Sequence, residues 1–117
     1  MSKLSNYLRA NRKRLALSQG EVAFLLGVES GAKVCRYERF TRVPSLECAL
    51  ACEVIFRRPA SELFAGLYQR IEKQVVVRAR KLLHRTDRYA QNQHTARKRT
   101  TLATISTPQV NHKRKKS

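Results

Sequence analysis

Acidic residues are scarce in this chain: 8 Asp and Glu stand against 25 Lys and Arg in 117 residues, a formal charge of +17. Self-repulsion on that scale destabilises a compact state, so the imbalance points to a polyanionic partner. No hydrophobic run is long enough to span a bilayer, which argues against a membrane protein. The opening MSKLSNYLRANRKR lacks a signal-peptide core, and a cytoplasmic, nucleoid-associated location is expected. Cysteine is limited to Cys35, Cys48 and Cys52, an odd count with no CxxC pair, which reads as reduced, small apolar side chains. Glycine-rich phosphate loops and paired acids are missing, and His84, His94 and His112 have no partner at a readable spacing. The chain is therefore not expected to be an enzyme or to carry a cofactor. Only Tyr68 and Tyr89 represent Phe and Tyr after residue 67, so there is no stacking platform for single strands.

What remains is helical. Leu4, Leu8, Arg12 and Leu15 share one helical stripe, which places an arginine among apolar residues. Ser18 and Glu21 form a capping box for a second helix with Val22, Leu25 and Leu26 inward, closed by Gly27. A third helix starts near Ser30 or Gly31 and runs to Arg39 with Val34, Tyr37 and Glu38 on its inner side. Arg12 and Glu38, each on a buried face, are expected to pair, because an unpaired buried charge is costly. Pro44 and Ser45 start LECALACEVIF, apolar nearly all round and so expected at the centre of the core. A short ASELF turn follows, broken by Gly66, then a longer helix from Leu67 to about Arg85. No strand-like alternation is convincing and there is no internal repeat. The fold class is all-α.

The segment GAKVCRYERFTR, residues 31 to 42, explains the charge. Two short helices with a tight turn over residues 27–30 make a helix-turn-helix, whose second helix lies in the major groove of DNA and cannot be greasy outside. Its outer side carries Lys33 and Arg36, with small Ser30, Gly31 and Ala32 at the N-terminal end. Small residues permit close approach to base edges, and arginine offers guanine a bidentate contact. The rival is a solvated face of an ordinary helical bundle; the net charge and the following ERFTR loop favour nucleic acid.

Residues 4 to 66 resemble the Cro/cI repressor, or XRE, family of helix-turn-helix domains. The matching features are Arg12, Ser18-Gln19, Val22-Ala23 with Gly27, Tyr37-Glu38, Pro44-Ser45 and Glu62-Leu63-Phe64. The resemblance implies a five-helix lambda repressor-like domain over residues 1–66 that binds double-stranded operator DNA, generally as a homodimer. It implies that Gln19 touches phosphate and braces the third helix. Ser30, Gly31, Ala32, Lys33 and Arg36 fall where the family reads bases, and Arg39, Thr41 and Arg42 where it grips the backbone. Two departures stand out: one residue more than usual between Gly27 and Glu38, and Phe40 where the family often has glycine.

Residues 67–90 are expected to form an extra C-terminal helix. Tyr68, Ile71, Val75 and Leu82 on it fit either a dimer seam or docking on the domain's own core. Residues 91–117 read as a basic disordered tail, an electrostatic arm for phosphate. Cys48 and Cys52, four apart, could hold a metal edge-on, but core packing is the better reading. Cys35 beside Arg36 is either a redox switch or a half-buried filler, the latter preferred. The function read from this is a sequence-specific transcriptional regulator, most often a repressor in this family. The alternatives are an antitoxin-type partner-binding protein, which a basic tail disfavours, and a nonspecific nucleic-acid binder.

Overall fold

Ser18 and Gly27 set the limits of a helix as their chemistry dictates. The Ser18 hydroxyl accepts from the Glu21 amide at 3.0 Å while the Glu21 carboxylate accepts from the Ser18 amide at 2.8 Å. Gly27 closes the helix at φ 75°, a left-handed conformation that glycine adopts without a Cβ penalty. In the computed structural model, which describes residues 6–107, this helix is one of seven, and no strand occurs among the described residues. They are α1 (Leu8–Arg14), α2 (Gln19–Leu26), α3 (Gly31–Glu38), α4 (Leu46–Phe56), α5 (Ala60–Leu63), α6 (Ala65–Arg85) and α7 (Gln93–Ser106). No helix among the described residues is long and apolar enough to cross a membrane. The chain divides into two units, Met1–Gln69 and Arg70–Ser117, so the boundary falls inside α6. Gly66 does not break the chain as expected. It lies buried in the first turn of α6.

In the first unit the fully buried residues Leu8, Val22, Val34, Cys52, Phe56 and Leu63 come from α1 to α5 and form one core. Each of the Leu, Val and Phe side chains contributes roughly 1.5–3 kcal/mol on burial. α4 is not central, contrary to its sequence. Cys52 and Phe56 face the core, but Leu46 and Val54 are 75% and 72% exposed, because the unit supplies neighbours on one side only. Leu25 is likewise exposed rather than inward. The chain before α1 is anchored by the Tyr7 amide donating to the Leu63 carbonyl at 2.8 Å.

The second unit overturns part of the disordered-tail reading. Residues 93–106 form α7, whose start is capped by the Asn92 side chain accepting from the Thr95 amide at 2.9 Å. Thr95, Leu102 and Ser106 are buried at helical spacing, a stripe concealed in the sequence because two of its three members are polar. Two arginines tie the helix ends reciprocally. Arg80 of α6 donates to the Ser106 carbonyl at 3.2 Å, and Arg99 of α7 donates to the Leu83 carbonyl at 3.5 Å, to Thr86 and to Asp87. Each cation meets the negative end of the other helix. The HKRKK cluster lies outside the described residues, as does Leu4.

Candidate nucleic-acid interface

Gly31 decides how closely α3 approaches α2. A Cβ at Gly31 would lie 3.0 Å from the Gly20 amide nitrogen and 3.2 Å from the Gln19 carbonyl carbon, both backbone atoms. A side chain at Gly31 would therefore point into α2, while the glycine itself is half-buried. α3 begins at Gly31 with Ser30 as its N-cap residue in extended conformation. The Ser30 hydroxyl makes no capping bond, and the residue is exposed.

The inner side of α3 is held by a buried polar network. The Glu38 side chain is 2% exposed and receives Arg12 Nε on Oε2 at 2.5 Å and Arg12 Nη2 on Oε1 at 3.2 Å. Gln19 Nε2 donates to the same Oε1 at 3.1 Å, and Arg12 Nη1 to the Leu17 carbonyl at 2.9 Å. The expected Arg12–Glu38 pair is present, and Gln19 braces α3 as the resemblance implied. Hydrogen bonding to Glu38 holds the Arg12 pKa above its usual value. Sequence reasoning missed Asn6, whose side chain accepts from the Leu8 amide at 2.8 Å and donates to the Tyr37 carbonyl at 2.9 Å. Its signal was an N-cap residue type just before the first helix.

With Glu38 turned inward, the outer face of α3 retains only small or cationic residues. Ala32 and Arg36 are exposed and Lys33 is half-buried. Arg36, Lys33, Arg39 and Arg42 take part in no ion pair among the described residues, and the Arg39 guanidinium donates to the Cys35 sulfur at 3.7 Å. The helix ends in a Schellman arrangement: the Phe40 amide donates to the Tyr37 carbonyl at 3.1 Å and the Thr41 amide to the Arg36 carbonyl at 2.9 Å. Phe40, at φ 60°, holds the left-handed conformation that glycine would adopt without strain. Thr41 Oγ1 also bonds the Arg36 carbonyl at 3.3 Å, so this hydroxyl fixes the loop while Arg42 stays exposed.

Cysteine chemistry lies beneath the site. Tyr37 Oη and Cys48 Sγ are 3.8 Å apart, and burial first, then this contact, raises the Tyr37 pKa. Burial pushes the Cys52 thiol up to about 12. Among the described residues no three His, Cys, Asp or Glu side chains cluster to hold a metal ion. Comparison with protein-family models, curated proteins and solved structures gives no match.

Proposed function

We propose that the chain is a sequence-specific, double-stranded DNA-binding transcriptional regulator of the Cro/cI kind, acting as a repressor, with a lambda repressor-like first unit. The observation that carries this reading is the segregation of charge on α3. The segment's one acid is consumed inside by Arg12, while Lys33, Arg36, Arg39 and Arg42 have no carboxylate partner among the described residues. A solvated bundle face gains nothing from that sorting, whereas a helix entering the major groove needs cations and small residues outward and a rigid mount inward. Arg36 reads a base, with Ala32 and Ser30 admitting the helix end to the groove and Lys33 beside them. Arg39 and Arg42 grip phosphate, and Gln19 adds a backbone contact at the start of α2.

Site selection from random duplexes tests this. Arg36→Ala is expected to cost roughly 1–3 kcal/mol on the preferred site and to flatten the preference at one base pair. Lys33→Ala does the same where it reaches a base, and weakens all sites alike where it reaches phosphate only. Unchanged profiles and affinities for both variants would refute the assignment.

A further inference from the structure

The second unit carries a charged surface that α3 does not account for. Residues 70–107 contain ten Lys and Arg against two acids, and the structure disposes of both acids. Glu72 is half-buried on the side of α6 that also holds buried Val76 and Ala79. Asp87 is engaged by Arg99 at 3.1 Å and lies 3.9 Å from His84. At 3.6 residues per turn, Arg70, Lys73, Arg78, Lys81 and Arg85 fall in a sector of about 140° on the opposite side of α6. All five are exposed and none forms an ion pair among the described residues. At ~1.5 Å per residue the row extends about 22 Å, a length over which duplex DNA presents roughly 13 phosphate charges.

We propose that this outward face of α6 is a second nucleic-acid-binding surface, one that grips the phosphate backbone of a duplex without reading sequence. A rigid row of cations on a helix loses less side-chain and backbone freedom on binding than a disordered arm of equal charge. The reciprocal arginine ties of α6 and α7 supply that rigidity. Single strands fit less well, because the exposed Tyr89 ring is occupied by Lys98 Nζ at 4.8 Å from its centroid. A membrane surface also fits less well. A helix lying on lipid needs its apolar side opposite its cations; in α6 that side is buried with Val76 and Ala79, and the exposed Ile71, Val75 and Leu82 lie between the two.

The test compares the full chain with a variant in which Arg70, Lys73, Arg78, Lys81 and Arg85 are each replaced by glutamine, a good helix former. Binding to a preferred and an unrelated duplex is titrated between 50 and 200 mM salt, with circular dichroism as the check on folding. Each lost phosphate contact removes about 0.9 from the slope of log K against log salt. The wild type should then lose roughly 10²–10³-fold more affinity than the variant over that salt range, on both duplexes, with the base preference unaltered. An unchanged slope overturns the proposal, as does loss of binding to anionic phospholipid vesicles alone. A second measurement needs no variant: duplex DNA should shield Lys73 and Lys81 of the wild-type chain from acetylation, and full reactivity of both overturns it. The proposal is separable from the reading of α3. Failure of that reading leaves a slope effect without any preferred sequence, whereas failure of this one leaves the preference with no slope effect.

Discussion

Replacing Arg12 with methionine keeps most of the side-chain volume and removes three hydrogen bonds. Two of them go to Glu38 and one to the Leu17 carbonyl. The Glu38 carboxylate, 2% exposed, is then left with Gln19 as its side-chain donor. Stranding a buried charge in this way costs about 3–5 kcal/mol. Glu38→Leu strands the guanidinium instead and should cost a similar amount. A unit of roughly 70 residues has only about 3.5–10 kcal/mol of stability, so either single variant removes about a third or more of it. Urea titration, followed by circular dichroism, gives the differences. The double variant contains neither charge and should lose at least ~2 kcal/mol less than the sum of the singles, because that sum counts the stranding penalty twice. High salt should leave this coupling nearly intact, since a buried pair is weakly screened. Additivity of the two losses within about 0.5 kcal/mol would refute the reasoning.

Gly31→Ala must push apart the backbones of α2 and α3 and should destabilise by about 1–3 kcal/mol in the same titration; an unchanged midpoint would show that the approach is not tight. Ala16 and Arg57 are exposed and sit at φ 62° and 58°, so Ala16→Gly and Arg57→Gly should each stabilise by ~1 kcal/mol, and a lowered melting temperature in both would contradict this. Cys52 has its folded pKa raised from 9.0 to about 12, so its contribution is complete below pH 9 and is lost as pH rises toward about 12. That interval corresponds to at most ~4 kcal/mol, and Tyr37, also raised, acts in the same direction. Cys52→Ala should therefore show a shallower alkaline decline than wild type, measured by urea midpoints from pH 8 to 11, and parallel curves would disprove the assignment.

Local chemistry was legible where a residue acts on its own neighbours. The Ser18–Glu21 box, the left-handed Gly27 and the limits of α4 follow from caps and backbone preferences spanning three or four residues. The Arg12–Glu38 pair was legible too, although 26 residues separate its partners, because two opposite charges on buried faces have few alternatives. Burial elsewhere was not legible. α4 is apolar on all sides, and only the placement of α2 and α5 decides that Cys52 and Phe56 are covered while Leu46 and Val54 are not. Gly31 looked like part of an outward surface because glycine has no side chain to disclose its direction. Its proximity to Gly20 arises from the packing of two helices, not from spacing along one. α7 was read as disordered because threonine and serine stand where leucine would mark a buried stripe. Ser106 tolerates burial because its hydroxyl donates to the Leu102 carbonyl within the same helix at 2.7 Å. The sequence alone determined the helices of the first unit, the sign of the charge and the pairing that mounts α3. Tertiary structure decided which apolar faces find a neighbour and which cations do not, since both depend on contacts between segments distant along the chain.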